Sequence, residues 1–409
     1  MTPVPEIAII GAGAAGCFCA AVLAEALPGK ASITIYESGK KPLAKVAVTG
    51  GGRCNLTNSF RDISIEKAYP RGATLMKRLM RGFSNDDACR WFTSHGVELL
   101  TQEDQCVFPV SQDAMQIVNT LLGVLKAHRV KIVTGAAVKK IEPGFRLLFD
   151  GAPAARADYV AVTAGGLSSG GMLGLFDGLD LKIQKPVPSL FTFKTDSPIK
   201  ELTGAVTESV MVSLEGTRFS AAGPLLITDW GFSGPAVLKL SSYGARLLAE
   251  NGYKATLAVN WMYGETEQEL RGWLEDKAAS APQKNISNIH PQKLTSRLWI
   301  FLLNKAGIKE NIKFATLNAK MTSRLCATLL HDCYTITGRA RFKDEFVTCG
   351  GIDLGEVSAS TLEARKYPGL YFAGEVLDID AITGGFNLQA AWTTGYTVAG
   401  SIGRALKKE

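Results

Sequence analysis

Much that would name a chemistry at once is missing from this sequence. Only four histidines occur in 409 residues, and His95, His128, His290 and His331 show no metal-ligand spacing, so each reads as a surface or capping residue. The eight cysteines (Cys17, Cys19, Cys54, Cys89, Cys106, Cys326, Cys333, Cys349) include no C-x-x-C pair, which removes zinc and thioredoxin-type readings. Reduced thiols in a cytosolic protein are the reading left. No G-x-x-x-x-G-K-[ST] stretch is present, so a P-loop is excluded. No repeat at a fixed period appears, which excludes solenoids and propellers. The balance of 45 basic against 38 acidic residues gives +7, but the basic residues look scattered. Their densest run, LMKRLMRGF, reads as a solvated helix face, and no aromatic-rich basic module accompanies it. No nucleic-acid partner is therefore expected.

One apolar stretch, IAIIGAGAAGCFCAAVLAEAL, imitates a signal peptide or a membrane span. Nothing basic precedes it, three glycines lie within it and Glu25 interrupts it. A strand, a turn and a buried helix explain it better. A cytoplasmic protein without stable membrane association is expected.

Glycine is plentiful, with 42 residues gathered into a few runs, and such runs mark places where backbone approaches backbone or ligand. The length suggests two or three domains. Residues 7–10, 14–27 and 32–37 read as strand, helix, strand, a βαβ unit that predicts a parallel sheet. QIVNTLLGVLKAHR is an amphipathic helix; VKIVTGAAVKKI, FRLLFDG and ADYVAVTAGG read as strands. From about 187, LFTFKTD, AVTESVMVSLEGTRFSAAGPLLIT and KATLAVNW alternate as antiparallel strands do. Residues 264–330 have helical periodicity instead. YTITGRARF, EFVTCGG and GLYFAG are strand-like, and a long helix closes the chain. Both ends resemble nucleotide-fold pieces and are expected to assemble one discontinuous domain.

Three glycine-rich stretches carry the chemistry. GAGAAG at 11–16 fits G-x-G-x-x-G between a strand and a helix: Gly11 for the tight turn, Gly13 for approach of a pyrophosphate, Gly16 for helix–strand packing. Glu37 ends the next strand, where a carboxylate accepts from a ribose diol and repels a 2′-phosphate. TGGGRCNLTN follows where an NAD-only fold would add further βαβ units. Gly50, Gly51 and Gly52 can set amides against an extended cofactor, with Arg53 and Asn55 as charge and donor. In GLYFAGEVLDIDAITGGFNLQAAW, a strand ends at Gly374-Glu375, acids follow at Asp378 and Asp380, and Gly384-Gly385 open a helix. That places carboxylates near ribityl-type hydroxyls and a helix N-terminus near developing negative charge. GFSGP is not a nucleophile elbow, because its fifth residue is Pro235, so Ser233 reads as structural.

Together these stretches, with GFSGPAVLKLS and EFVTCGGIDL, resemble the BaiN/YhiN-like NAD(P)/FAD-dependent oxidoreductases over nearly the whole chain. The resemblance implies an α/β fold: a Rossmann-like FAD domain, an antiparallel β-barrel-like domain and a small helical insertion. The boundaries expected are 1–186 with 345–409, 187–263 with 331–344, and 264–330. It implies FAD contacts at Gly11, Gly13, Ala15, Gly16, Glu37, Lys45, Gly51, Gly52, Arg53, Cys54, Asn55, Val138, Ala164, Gly165, Gly374, Glu375, Asp380, Gly385, Phe386 and Asn387. Their neighbours Ala14, Ser38, Gly50, Thr57, Gly166, Thr383, Gly384 and Leu388 complete the expected set. Three places depart from the family pattern: Thr228-Asp229 stands for Thr-His, Gln105-Cys106 for Gly-Arg, and LSSGGMLGLFDG replaces a Gly-Ser-Thr-Gly-rich segment.

An FAD-dependent oxidoreductase is the resulting expectation. It would pass a hydride through the flavin from reduced pyridine nucleotide, bound transiently, or an organic donor to a small enone-like molecule or oxygen. An oxygen-using amine oxidase and a non-catalytic flavin sensor stay open. Asp229, Arg53 and Cys54, whose thiol a neighbouring Arg53 could acidify, are the catalytic candidates; for Cys54 packing is the favoured role. The oligomeric state stays open, with a monomer favoured.

Overall fold

The computed structural model describes residues 4–167, 170–196, 199–340 and 347–407. The chain divides into two compact units, Met1–Pro188 with Val347–Glu409, and Ser189–Phe346. The first unit does join the two ends of the chain. Its five-stranded parallel sheet runs in the order Leu370–Phe372, Tyr159–Val162, Glu6–Ile10, Ser32–Glu37, Lys131–Thr134. Ile7 pairs with Tyr159 on one side and Ile33 on the other. The apolar run Ile7–Ile10 is buried throughout, as a strand covered on both faces must be.

The opening helix, Ala14–Ala26, packs along the closing helix, Phe386–Ala405. A Cβ on Gly395 would stand 2.8 Å from the Ala15 carbonyl, so the bare position lets the backbones approach. Phe18 anchors an aromatic cluster with Phe83, Trp91, Phe92 and Trp392. Three bonds stitch residues 56–58 to the far end of the chain: Trp392 Nε1 donates to the Leu56 carbonyl at 2.9 Å, Thr57 Oγ1 to Gln389 Oε1 at 2.6 Å, and Asn58 Nδ2 to the Gly384 carbonyl at 3.2 Å.

The second unit is built on a closed barrel of six strands in the order Phe193–Thr195, Gly231–Ser233, Ser220–Ile227, Val206–Leu214, Ala255–Asn260, Asp332–Arg339. VTESVMVSL turns Val210, Val212 and Leu214 inward with the period of two its alternation predicts, and Thr207 is buried out of phase across a register shift between Thr207 and Val210. The helices Glu267–Ser280, Ser296–Lys305 and Ala319–Leu330 start at Thr266, Thr295 and Asn318, each side chain accepting from a first-turn amide. Thr266 and Glu269 form a capping box, the T-x-x-E signature. The helical segment expected as a third domain lies inside this second unit. Leu270, Leu298, Trp299 and Leu325 share one core with Val212, Leu225 and Phe232 of the barrel. The 344/345 boundary, and Ser168 and Ser169 of LSSGGMLGLFDG, fall outside the described residues.

Candidate cofactor-binding site

The motif glycines of the first unit fall into two groups. Gly11 has φ +105°, and a Cβ there would lie 2.6 Å from the Thr163 carbonyl. A Cβ on Gly16 would lie 2.0 Å from the Gly11 carbonyl and 2.4 Å from Thr163 Oγ1. Those two are bare because the turn packs on itself. Gly13 differs: nothing of the protein lies within 4 Å of where its Cβ would be, and its backbone is extended at φ −82°. The space in front of it is open. Helix Ala14–Ala26 begins there with no side-chain cap and no acid in its first turn, leaving the amides of Ala14, Ala15 and Gly16 directed at that space. Glu37 closes the far side: Oε2 accepts from the Ala12 amide at 2.7 Å and Oε1 from the Gly39 amide at 2.6 Å, with Ser38 Oγ at 3.3 Å. A carboxylate has about four acceptor positions, so room for a diol persists.

TGGGRCN forms a tight left-handed turn instead of a loose loop. Gly50, Gly51 and Gly52 take φ of +57°, +69° and +84°, and Cys54 follows at +60°. Three such residues in a row favour glycine, because each L-residue there costs about 1–2 kcal/mol. No protein atom lies within 4 Å of a Cβ at Gly51 or Gly52, whereas at Gly50 it would meet the Asn55 amide at 2.9 Å. Arg53 is exposed but held: Nε donates to the Gly50 carbonyl at 3.1 Å, Nη1 to Gln112 Oε1 at 3.4 Å, and the guanidinium lies 4.5 Å over the Phe108 ring. Asn55, with its amide turned, donates to the Thr57 carbonyl at 3.0 Å and accepts from the Gly385 amide at 3.3 Å.

At the other end of the chain, Gly385 (φ +88°) caps helix Phe386–Ala405, again with no side-chain cap and no acid in the first turn. A Cβ on Gly385 would stand 2.4 Å from the Thr57 carbonyl; one on Gly384 would strike the Phe386 ring. Thr383 and Leu388 are half-buried around this start. A Cβ on Gly374 (φ +77°) would stand 2.8 Å from Ala15 Cβ. Glu375 accepts from the Thr348 amide at 2.7 Å and lies 3.7 Å from Lys45. Ala164 and Gly165 are half-buried after the strand Tyr159–Val162, Gly165 at φ +80°, and Gly166 packs on Thr348 and Glu375. Val138 begins a separate antiparallel strand, tied in where the Ala136 amide reaches the Glu37 carbonyl at 2.8 Å.

Three of the expected site residues are held within the protein, Cys54 in the packed role favoured for it. Asp380 is fully buried, and Arg71 grips it with Nε and Nη2, so its carboxylate holds the loop in place. Asn387 spends its side chain on Ala381, accepting from its amide at 3.0 Å and donating to its carbonyl at 2.9 Å. Cys54 is fully buried, and burial pushes its thiol up to about 11, the opposite of acidification by Arg53. Asp229 belongs to the second unit, exposed in the turn before Gly231, where Thr228 Oγ1 accepts from the Gly231 amide at 3.2 Å. Sequence reasoning missed Thr163, Arg71, Tyr69, whose hydroxyl donates to the Phe386 carbonyl at 2.8 Å, and Gln389. Each acts across 150 or more residues, and no local pattern signals such a partner.

Comparison with known proteins agrees with this architecture. The HI0933-like protein Rossmann domain family matches residues 5–401. The chain is 30% identical to a ribosomal RNA dihydrouridine synthase of Escherichia coli, over 96% of each protein. It is also 30% identical to a 3-dehydro-bile acid delta(4,6)-reductase of Clostridium scindens, over 96% of this chain and 97% of that one. Among solved structures, a 3-ketosteroid-delta4-(5alpha)-dehydrogenase from Rhodococcus jostii in complex with 4-androstene-3,17-dione superposes with a TM-score of 0.50 at 12% identity, covering 97% of both chains. That likeness speaks for the fold. With one family spanning nearly its whole length, the chain belongs to the HI0933-like Rossmann proteins, the BaiN/YhiN-like flavoproteins its motifs resemble, and is an FAD-dependent oxidoreductase.

Proposed function

We propose that this enzyme reduces carbon–carbon double bonds conjugated to a carbonyl, drawing its electrons from a transiently bound NADH or NADPH. The carrying observation is the pair of uncapped, acid-free helix starts at Ala14 and Phe386, brought into one unit with open space before Gly13, Gly51 and Gly52. Bare amides and a positive dipole end suit a diphosphate at Ala14–Gly16, and Glu37 suits the adenosine ribose. When bound, FAD supplies two-electron, hydride-equivalent chemistry. The chain's own share is to hold and polarise. The first-turn amides at Phe386–Leu388 and the pinned Arg53 cation favour negative charge on a reduced ring. Gly51 and Gly52 leave the approach clear.

The acceptor class is supported by the relatives. A delta(4,6)-reductase saturates double bonds conjugated to a 3-oxo group, and 5,6-dihydrouridine is uridine with the double bond beside its C4 carbonyl saturated. In an acceptor of this kind hydride would add at the carbon β to the carbonyl, or at the δ carbon where a second double bond extends the conjugation, and a proton at the neighbouring carbon. The test is anaerobic. The purified yellow protein should bleach with NADPH or NADH, and recover its colour on adding a 3-oxo-4-ene steroid or a uridine-containing RNA. A colourless preparation that takes up no FAD would refute the cofactor reading. Recovery only with air, with peroxide released, would replace the reductase by an oxidase.

A further inference from the structure

The charge of this protein is less scattered than it first looks. Between residues 277 and 324 nine lysines and arginines stand against one acid, Glu310, an excess of eight that is larger than the +7 of the whole chain. This is the helical part of the second unit. Some of these cations are neutralised locally. Lys277 pairs with Asp276, Lys293 with Glu265 at 2.8 Å, and Lys305 with the buried Asp332 at 2.5 Å. Five others are exposed, and among the described residues no carboxylate pairs with them: Lys284, Lys309, Lys313, Lys320 and Arg324.

The fold gathers these five. The loops around 285 and 313 pair in an isolated antiparallel bridge, with the Phe314 amide donating to the Lys284 carbonyl at 3.1 Å, so Lys284 and Lys313 stand side by side. Lys313 Nζ is oriented by Gln283 Oε1 at 2.7 Å. The Arg324 guanidinium covers Gly307, whose Cβ would be 3.3 Å from Nη1; Lys309 lies two residues beyond that glycine, in the turn closed by the Ile312 amide on the Lys309 carbonyl at 3.1 Å that leads into Lys313. Lys320 and Arg324 are four apart on helix Ala319–Leu330 and share its exposed side. No large apolar side chain from 277 to 324 is among the exposed ones, so this face offers charge without a stacking platform.

We infer that the face formed by Lys284, Lys309, Lys313, Lys320 and Arg324 docks the phosphate backbone of a structured RNA. Unneutralised cations without aromatics suit evenly spaced phosphates and give affinity without base reading. A lone steroid-sized acceptor makes no use of them. The inference rests on the reductase reading, for which a uracil ring is one acceptor, and it turns against the expectation of no nucleic-acid partner.

The test uses the full-length, FAD-loaded protein and a fluorescein-labelled RNA hairpin of about 20 nucleotides, a length that spans several phosphate contacts of the kind that set salt dependence. Anisotropy is followed from 50 to 200 mM salt. Five phosphate contacts give a log–log salt slope of about −3.5 to −4.5. In Lys309→Glu/Lys313→Glu/Arg324→Glu the affinity should fall at least about tenfold and the slope flatten by about two. The same triple change to Gln should fall between, with the flavin spectrum unaltered in both. Equal binding by wild type and variants overturns the inference. So does wild-type binding to phosphatidylserine vesicles or polyglutamate as tight as to RNA, which would assign the face to a membrane or an acidic protein. Bleaching and recovery with a 3-oxo-4-ene steroid, run on the same samples, separates the two readings. If recovery is normal and RNA binding is unchanged by the variants, only the RNA face fails. If nothing restores the colour but RNA binding is lost in the variants, only the reductase reading fails.

Discussion

At residues 11–16 two of three glycines are fixed by the protein itself: the Thr163 and Gly11 carbonyls occupy the space a side chain would need. At residues 50–52 the limit is mainly conformational. Gly51 and Gly52 have open space around them but backbone angles that only glycine adopts freely. Gly13 belongs to neither class, having ordinary angles and empty surroundings. A glycine that neither packing nor backbone requires is the one a ligand explains. Three substitutions therefore separate three reasons for the same residue type.

The largest effect belongs to packing. Gly16→Val drives methyls into the Gly11 carbonyl and should cost about 3 kcal/mol or more, since backbone cannot rearrange as a side chain can. Urea unfolding would show it, with or without FAD. A stable Gly16→Val protein would mean the turn is looser than its 2.0 Å approach indicates. Close behind comes Asp380→Ala, which leaves Arg71 without its buried partner and should destabilise by about 3–5 kcal/mol. Unfolding of the FAD-free protein is the decisive readout, because a ribityl ligand would lower affinity while leaving that midpoint unmoved.

Arg71 and Asp380 also show where reading a sequence ends. GAGAAG, SITIYE and the closing helix were legible because their signals are local: a strand, a turn and a helix within forty residues. The antiparallel second unit was legible from its period of two. What Asp380 does was not, because its partner lies 309 positions away and its spacing from Gly374 and Gly385 suits a ligand role equally well. The bonds of the Asn387 amide to Ala381 were not legible either, because a helix start beside two glycines suits a ligand role and a loop-closing role equally well. The helical segment 264–330 was legible as a change of local structure from its periodicity, whereas the burial of Trp299 with Phe232 in one core is a long-range fact that no local pattern carries.

Gly13→Ala should do little to the fold. The added methyl meets no protein atom, and the change of an N-cap from Gly to Ala costs up to about 1 kcal/mol. FAD affinity, measured by flavin fluorescence on titrating the stripped protein, should fall at least about tenfold, equivalent to about 1.4 kcal/mol. Gly51→Ala sharpens the contrast: about 1–2 kcal/mol of backbone strain should appear in the FAD-free protein. Unchanged affinity in Gly13→Ala would remove the ligand from the first turn and leave its open space unexplained.

The smallest effect at neutral pH tests the one non-glycine that shares the left-handed turn. Cys54 keeps its proton in the native protein up to pH about 11, because burial disfavours the thiolate. In the unfolded chain the thiol releases its proton near pH 8.5. Between those values the unfolded state binds fewer protons, so stability is full below about pH 8.5 and declines as pH rises, by at most about 1.4 kcal/mol per unit for one thiol. Cys19, pushed up to about 12 by burial, adds to the decline in the same direction. Cys54→Ala should remove one share, so that urea midpoints of wild type and variant converge between pH 8 and 10.5. Turnover with a conjugated acceptor should stay within about twofold, as for a residue with no transition-state role. Rapid alkylation of Cys54 by iodoacetamide at pH 7 in the folded protein would reverse this assignment and restore a thiolate beside Arg53.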